Sequence, residues 1–528
     1  MSASRNRPPA CLDAAEQRRG NGRSCHRHLL YDILHTANFL RVKPCSHILA
    51  LLLCLLFCSV PAIVYAAGDY WAPWVTKTTT NSATINWRGT SEETGTVEYA
   101  TEAYYNLHKK FNKTTASLIQ SSYQHVPLTG LAPGTAYVYK VRPSDNATVF
   151  GNRAFRTMPV RGPFTFIVIS DSQEGHDYTE AMRFQLVADA IANEKNVLFI
   201  LHGGDYAGHD SPGLWAKYFE AADKMLAKFA IFTTIGNHEY HSGLTPPPPL
   251  APTAAVQYHS SYDTPLNYSF DCAGIRFIIL DSPDPLTGED PHTSVALAQS
   301  QALWLGGLLK DTMAGVFTIH HHPIWDYFNS TNNPDLQTWE DLYHAYNISA
   351  TFAGHTHNYQ RYSVKGIPYF IVGNAGGRFS DLISDNGTPE WYVTGETRQL
   401  GYLKVTVDPA NNTATATEIF VASVQDDDSA VLPVVHNPLV IGDNVTFPLS
   451  TNGAPCPATK VLGAENPALE SLRTLRDSTL AQSVLGRRVI QMYYTNADSI
   501  NAALDRNPAL RALARRMLEV IAPLVGKN

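Results

Sequence analysis

Residues 229–239 read FAIFTTIGNHE, an apolar run followed at once by polar residues. The run has the length and composition of a buried strand. Gly236 follows it, and a glycine lets the backbone turn tightly beside a ligand. Asn237, His238 and Glu239 come next. The stretch therefore predicts a strand that delivers polar side chains to the loop at its end.

Four other apolar runs end in the same way. The runs and the residues after them are FTFIVIS (164–170) before Asp171 and Gln173, VLFIL (197–201) before His202, Gly204 and Asp205, VFTI (316–319) before His320, His321 and His322, and ATF (350–352) before Gly354, His355 and His357. Helical patterns separate these runs, and strands that alternate with helices predict a layered α/β domain. Sites in such domains form beyond the carboxyl ends of the strands, so we expect these side chains to converge.

The converging residue types indicate a metal site. Carboxylate, amide and imidazole groups are suitable ligands for first-row divalent metals. A carboxylate such as Asp205 can bridge two ions, and two ions roughly 3.5–4 Å apart can hold a hydroxide and a phosphate oxygen. Taken singly, an Asp after a strand is usually a cap or turn residue, and a lone His is usually structural. The recurrence of these residue types after five runs favours the metal site.

The regions on either side of this α/β domain, which we place at residues 162–423, have other patterns. Residues 69–159 contain short alternating segments such as SATINW (82–87) and predict an all-β sandwich that serves as a structural or positioning module. Residues 424–460 are rich in Asp, Pro and Asn and predict a linker with one extended segment. Residues 461–528 have a helical pattern and predict a small helical segment.

The N-terminal region predicts export. Residues 48–67 read ILALLLCLLFCSVPAIVYAA, carry no charge and follow Arg41 and Lys43. This pattern is typical of a secretory signal peptide cleaved near Ala66, so we interpret residues 1–67 as an N-terminal extension plus signal peptide. An uncleaved transmembrane anchor is the alternative, because about 20 apolar residues can span a bilayer. We expect a secreted, periplasmic or cell-surface protein with no stable membrane insertion after cleavage.

Composition excludes some functional classes. Hydrophobic residues make up 44% and charged residues 16% of the 528 residues, which is typical of globular rather than disordered chains. The formal net charge of -7 provides no basic surface for nucleic acid, so we expect no nucleic-acid partner. Only Cys272 and Cys456 lie beyond the predicted signal peptide, and whether they form a disulfide stays open.

Three stretches connect this sequence to a known family. GHTHNYQR (354–361) and GNAGG (373–377), together with the residues that follow the five runs, resemble the calcineurin-like metallophosphoesterase superfamily and most closely its purple acid phosphatase-like branch. LTGLAPGTAYVYKV (128–141) resembles the fibronectin type III-like domain of that branch. The resemblance covers roughly residues 69–423. It implies a fibronectin type III-like sandwich before a central four-layer α/β metallophosphoesterase sandwich.

The resemblance also implies a set of metal ligands and substrate contacts. The implied ligands are Asp171 and His357 for a first divalent ion, Asp205 for both ions, and Asn237, His321 and His355 for a second. His238 would contact the phosphate or protonate the leaving oxygen. His322 and Arg361 are further candidates for substrate contact.

Two positions depart from the family pattern. Gln173 stands where many relatives have a His, so it would ligate more weakly through its carbonyl oxygen or would hydrogen-bond to a bound water. Gly208 stands where the purple enzymes have a tyrosine that binds iron. The resemblance therefore implies two divalent ions without a purple iron–tyrosinate centre, and it leaves manganese, zinc and ferrous iron open.

The resemblance implies an enzyme, a metal-dependent phosphoric ester hydrolase of the acid phosphatase type. We expect it to hydrolyse small phosphate monoesters by in-line attack of a metal-bridged hydroxide on phosphorus. A phosphodiesterase or nucleotide hydrolase is the first alternative, because the same metal core serves those reactions. A surface binding protein with a degenerate metal site is the alternative from another class.

Overall fold

The computed structural model describes most of the chain beyond the N-terminal region. The described residues are 70–144, 150–173, 178–240, 255–283, 295–311, 313–327, 333–382, 387–425, 433–449, 457–462, 466, 468–475, 489, 493 and 497–525. The predicted signal peptide at residues 48–67 and Cys456 lie outside them, so what we predict for these residues stays a prediction.

The N-terminal strands form a sandwich of two antiparallel sheets. The elements are β1 (Trp71–Thr76), β2 (Ser82–Glu93), β3 (Gly95–Thr101), α1 (Glu102–His108), β4 (Lys113–Ala116), β5 (Ser121–Thr129), β6 (Ala136–Pro143) and β7 (Arg153–Arg156). One sheet has the order β1-β2-β5 and the other the order β4-β3-β6-β7. Ala83, Ile85 and Trp87 of β2 are buried, as the alternation in SATINW predicts. The prediction of an all-β sandwich is confirmed.

The central domain contains two larger sheets. Its strands are β8 (Phe164–Ile169), β9 (Val197–His202), β10 (Ala230–Thr233), β11 (Tyr268–Cys272), β12 (Ile275–Ile279), β13 (Gly315–Ile319), β14 (Ala350–Ala353), β15 (Tyr359–Val364), β16 (Ile367–Val372), β17 (Tyr392–Glu396), β18 (Gln399–Asp408), β19 (Thr413–Ser423) and β20 (Val434–Pro448). The six-stranded sheet has the order β10-β9-β8-β18-β19-β20, and the seven-stranded sheet has the order β11-β12-β13-β14-β16-β15-β17. Strands β8, β9 and β10 run parallel, and so do β12, β13, β14 and β16.

Helices cover the outer face of each sheet. The remaining helices are α2 (Tyr178–Ala192), α3 (Pro212–Leu226), α4 (Val256–Tyr262), α5 (Val295–Leu309), α6 (Gln337–Tyr346), α7 (Pro457–Leu462), α8 (Ala468–Thr474), α9 (Ala497–Arg506) and α10 (Pro508–Val525), with short 3₁₀ turns at His238–Tyr240 and Pro334–Leu336. Apolar residues of α2 and α3 pack with the six-stranded sheet, and those of α5 and α6 pack with the seven-stranded sheet. The central domain is therefore a four-layer α/β sandwich, which confirms the predicted fold class.

Phenylalanine side chains join the two sheets. The ring of Phe166 on β8 lies 5.1 Å from that of Phe277 on β12 and 5.9 Å from that of Phe352 on β14, measured between centroids. Phe166 also stacks on Phe199 of the neighbouring strand at 5.4 Å. Edge-to-face pairs of this kind stabilise a core beyond their area burial. This packing fixes the distance between the two sets of strand ends that carry the predicted site.

The sandwich packs against α3 of the central domain. The ring of Phe219 lies 4.7 Å from Trp71 and 4.3 Å from Trp74, which both belong to β1. Arg153 of β7 forms an ion pair with Asp223, and the Arg153 side chain is largely buried. The described part of the sandwich thus contacts the helical layer of the central domain.

The C-terminal part of the domain differs from the predicted linker at residues 424–460. Strand β20 pairs with β19 from Val434 to Pro448 and is the edge of the six-stranded sheet. The central domain therefore extends beyond residue 423. Many residues in the first half of β20 are exposed, so the strand has no clear apolar periodicity, and its Asn and Pro residues are typical of loops. The helices α7 to α10 follow, with a small core of Ala458, Leu462 and Leu469.

Two further observations bear on the sequence predictions. Among the residues described, no helix is both long enough and apolar enough to span a membrane. Cys272, at the end of β11, is a buried free thiol, and burial raises the pKa of this thiol well above its ordinary value.

We predict that Phe166→Ala lowers the free energy of unfolding by about 3–5 kcal/mol, because it removes the ring that contacts both sheets and leaves a cavity. Urea unfolding followed by circular dichroism measures the change. Leu303→Ala is the matched control, because that side chain is 89% exposed and its truncation should change stability by less than about 0.5 kcal/mol. Equal losses in the two variants would contradict the role of Phe166.

Candidate metal centre

The candidate ligands lie beyond the carboxyl ends of parallel strands in both sheets. Asp171 and Gln173 follow β8, Asp205 follows β9, and Asn237 follows β10. The loops after β13 and β14 supply the other candidates, His321, His355 and His357. Because the two sheets face each other, these loops meet at one edge of the sandwich. The structure therefore brings together all seven residues for which we predicted a metal-binding role.

The backbone is strained at three of these residues. Asp171, Asp205 and His355 have φ angles of 58°, 57° and 68°, in the left-handed region that residues with a side chain rarely adopt. Such a conformation costs about 1–2 kcal/mol per residue. Local hydrogen bonds hold it: the His355 amide donates to both carboxylate oxygens of Asp171 at 2.9 Å. Strain of this kind is typical of functional sites.

The first group of side chains surrounds Asp171 and His357. His357 Nε2 lies 3.4 Å from Asp171 Oδ1. The Nδ1–H of His357 donates to the carbonyl of Arg378, which leaves Nε2 with a lone pair directed at the group. Gln173 lies between this imidazole and Asp205, with its Nε2 at 2.9 Å from His357 Nε2 and 3.1 Å from Asp205 Oδ2.

The second group surrounds Asn237. Its Oδ1 lies 2.9 Å from His321 Nε2 and 3.2 Å from His355 Nδ1. His321 Nε2 also lies 3.3 Å from Asp205 Oδ2. The Nδ1–H of His321 donates to the carbonyl of Gly203 at 2.8 Å, so Nε2 is the ring nitrogen that faces these oxygens. Acceptors this close repel unless a proton or a cation lies between them, and the donor set fits a divalent metal.

Asp205 belongs to both groups. Its side chain is buried, and its Oδ2 faces Gln173, His321 and, at 3.8 Å, His238 Nε2. Burial would raise the pKa of the Asp205 carboxyl, but the charges of His321 and His238 hold it well below its ordinary value. Burial likewise lowers the pKa of His321, but the charge of Asp205 outweighs it and raises that pKa to about 10. Asp171, Asp205 and His321 together place ligand atoms within 4.8 Å of one another.

Glu239 holds the backbone around Asp205, the residue whose carboxylate is predicted to bind both ions. The sequence did not reveal this role of Glu239. Its carboxylate accepts the backbone N–H groups of Asp205, Tyr206 and Gly236 at 2.8–2.9 Å. Burial and the charge of Asp205 raise the pKa of Glu239 to about 8. A side chain on Gly236 would collide with Asp205, so only glycine fits there. The feature of the sequence that could have indicated this role is the position of Glu239 directly after Asn237 and His238.

His238 lies at the edge of the site. Its Nδ1–H donates to the carbonyl of Gly208 at 2.6 Å, which directs Nε2 toward Asp205. Its side chain is 31% exposed, so Nε2 is accessible to a ligand. Gly208, which stands where the purple enzymes have an iron-binding tyrosine, therefore contributes its backbone carbonyl to the orientation of His238. Tyr206 points elsewhere, since its hydroxyl donates to the Thr234 carbonyl at 3.1 Å.

His322 is buried beside the second group. Its ring lies 4.3 Å from the ring of His355, between centroids. Its backbone N–H donates to Ser282 Oγ at 2.9 Å, and its Nδ1 lies 3.1 Å from the same oxygen. The remaining ring nitrogen, Nε2, is buried and has no hydrogen-bond partner within the described residues. Ser282 was not among the predicted site residues, and it follows β12 without any motif of its own.

Arg361 is directed away from these groups. Its guanidinium forms a two-point ion pair with Asp443 of β20, with nitrogen–oxygen distances of 2.5 and 3.1 Å. The geometry therefore gives no support to the predicted substrate contact of Arg361.

The comparisons with known proteins agree with this architecture. Residues 164–359 match the family described as calcineurin-like phosphoesterase, and residues 72–157 match the N-terminal domain of purple acid phosphatase. The chain is 26% identical over 321 residues to purple acid phosphatase 21 of Arabidopsis thaliana. This alignment covers 54% of this chain and 68% of that protein. The chain is also 25% identical over 312 residues to a phosphoenolpyruvate phosphatase of Allium cepa. That alignment covers 54% of this chain and 60% of the relative.

Solved structures show the same fold. The purple acid phosphatase PPD1 from seeds of yellow lupin, Lupinus luteus, aligns with a TM-score of 0.54 at 13% identity and covers 72% of this chain and 74% of that one. The sequence matches span about two thirds of the length of the curated relatives. The chain therefore carries a calcineurin-like phosphoesterase domain after an N-terminal domain of the purple acid phosphatase type, and its relatives are metal-dependent phosphoric ester hydrolases.

Proposed function

We propose that this protein is an exported phosphatase that hydrolyses small phosphate monoesters at a centre of two divalent ions. The observation that carries the proposal is the position of Asp205, whose one buried carboxylate faces both groups of ligands. The proposed ligands are Asp171, Gln173, Asp205 and His357 for the first ion, and Asp205, Asn237, His321 and His355 for the second. Manganese, zinc and iron all suit this mixture of oxygen and nitrogen donors.

The bound ions supply a water of lowered pKa and neutralise charge on the phosphate oxygens. The protein's own contribution is to hold the ligands in a fixed arrangement. The carbonyls of Gly203 and Arg378 fix the tautomers of His321 and His357, so that both Nε2 atoms point inward. Glu239 fixes the backbone on both sides of Asp205. The ligands therefore need little rearrangement when a substrate binds.

His238 is the proposed acid for the leaving group. The hydrogen bond to the Gly208 carbonyl fixes Nδ1, so a second proton would sit on Nε2, the accessible nitrogen. An imidazolium in this position can donate to a phosphate oxygen or to the departing oxygen.

His322 is the proposed second contact to the phosphate. Ser282 Oγ accepts the His322 backbone N–H, and its own hydroxyl proton is then available for His322 Nδ1. Burial and the neighbouring His355 lower the pKa of His322 well below its ordinary value, which favours a neutral ring. With Nδ1 as acceptor, Nε2 carries the proton and can donate to a phosphate oxygen. Arg361 stays a weaker candidate, because it is already paired with Asp443.

Two further properties belong to this proposal. The pattern of residues 48–67 supports export by a signal peptide. The glycine at position 208 and the buried, hydrogen-bonded Tyr206 support a centre without iron–tyrosinate colour.

We predict that Asp205→Asn reduces hydrolysis of an aryl phosphate by about a thousandfold or more, because the bridging charge is lost. The same variant should bind fewer divalent ions, as measured by metal analysis after dialysis, and should keep its circular dichroism spectrum. Asp311→Asn, a change on the surface, is the matched control. Undiminished turnover by Asp205→Asn would refute the bridging role.

The reaction class is tested on the unmodified protein. Turnover of monoesters such as phosphoenolpyruvate and an aryl phosphate should disappear with a chelator and return with added metal. Faster turnover of phosphodiesters or nucleotides would replace the monoesterase proposal by the related alternative on the same core. Turnover that a chelator does not affect would contradict a metal-dependent reaction.

We predict that His238→Ala slows hydrolysis of an alkyl phosphate by about 10²–10⁴-fold, because the alkoxide leaving group needs a proton. Hydrolysis of a nitrophenyl phosphate should slow much less, since this leaving group departs without one. Steady-state kcat on both substrates measures the difference, with His108→Ala on the exposed helix α1 as control. Equal losses on the two substrates would mean that His238 binds the phosphate and does not protonate the leaving oxygen.

A further inference from the structure

The side-chain amide of Gln173 is oriented in an unexpected way for a metal ligand. Its nitrogen faces inward, with Nε2 at 3.1 Å from Asp205 Oδ2 and 2.9 Å from His357 Nε2. Its oxygen, the atom that can bind a cation, is buried and has no hydrogen-bond partner in the part of the chain that the structure describes. The residue itself is only 4% exposed, so water does not readily satisfy that oxygen.

The chemistry of the two neighbours explains this orientation. The Asp205 neighbour is the carboxylate oxygen Oδ2, and His357 donates its Nδ1–H to the Arg378 carbonyl, which leaves Nε2 as the nitrogen that faces Gln173. Both atoms next to Gln173 are therefore acceptors, and an amide nitrogen with two protons satisfies both. The two N–H groups therefore occupy the position between Asp205 and His357 at which a cation would bind. A cation there would interact with the lone pairs that the N–H groups now contact.

Asn237 has the opposite orientation. Its Oδ1 already faces His321 and His355, while its Nδ2 is buried and has no hydrogen-bond partner among the described residues. The second group therefore presents two imidazoles and a carbonyl oxygen without any amide proton between them. The first group must turn the Gln173 amide and lose two hydrogen bonds before its oxygen can bind an ion.

We propose that Gln173 makes the two metal positions unequal, so that the position at Asn237, His321 and His355 fills first and the position at Asp171 and His357 fills second and more weakly. This inference rests on the proposed two-ion centre. The free energy needed to turn the amide weakens the first-group position, and its neutral carbonyl is a poorer zinc ligand than the imidazoles of His321 and His355 in the second group. Zinc binding should therefore be stepwise.

The test is calorimetric titration of zinc into metal-free protein, combined with metal analysis after dialysis. The unmodified protein should show two steps, and dialysis should leave about one ion bound. Gln173→His should strengthen the weaker step by about tenfold or more and retain two ions, because an imidazole replaces the amide. Gln173→Glu is a second variant of nearly the same shape that lacks the N–H groups, and it should act in the same direction.

Gln120→His is the matched control, because it adds a histidine at an exposed position of the sandwich and should leave both steps unchanged. Two equal steps in the unmodified protein, or unequal steps that neither Gln173 variant brings together, would overturn this inference and leave the metal centre intact. If the unmodified protein binds no zinc, manganese or iron and hydrolyses no phosphate ester, the proposed function fails and this inference fails with it.

Discussion

The site depends on one buried carboxylate that two groups of side chains share. Asp205 is 1% exposed and has a left-handed backbone conformation, and a buried charge is tolerated only when close partners compensate it. Those partners come from three loops: the amide of Gln173, the imidazole of His321, and both the backbone N–H and the imidazole of His238. The positions of the surrounding loops therefore follow from the need to compensate this charge.

The rest of the architecture holds these loops at a fixed separation. The aromatic contacts of Phe166 join the two sheets, and the covering helices fix the outer faces. The N-terminal sandwich contacts the helical layer through Trp71, Trp74 and Phe219. Among the described residues, none of the proposed ligands belongs to the sandwich, and its role as a structural or positioning module stays a prediction. The packing of this frame and the hydrogen bonds around the site offset the strain at Asp171, Asp205 and His355.

The sequence predicted the ligand types because each apolar run ended in the same kinds of polar residue. The alternation of strands with helical patterns then predicted that these residues meet beyond the carboxyl ends of the strands. Three features could not be predicted in this way. Strand β20 has the Asn and Pro residues of a loop and an exposed first half, so its pairing with β19 had no signal. Arg361 lies next to the motif in sequence, but its side chain meets Asp443, which is 82 residues away.

The third feature is the support of the ligands, which comes from backbone carbonyls and from residues without a motif. The hydrogen bonds of Gly203, Arg378 and Ser282 set the tautomers of three histidines, and a sequence contains no sign of such contacts. The orientation of the Gln173 amide likewise depends on two acceptors that only the folded chain brings together.

Crystals soaked in manganese or zinc, with anomalous diffraction recorded at the metal's absorption edge, test the central claim most directly. We expect two peaks about 3.5–4 Å apart, both next to the Asp205 carboxylate, with His321 and His355 beside one and His357 beside the other. A single peak remote from Asp205, or full catalytic activity in crystals without any peak at these residues, would contradict it.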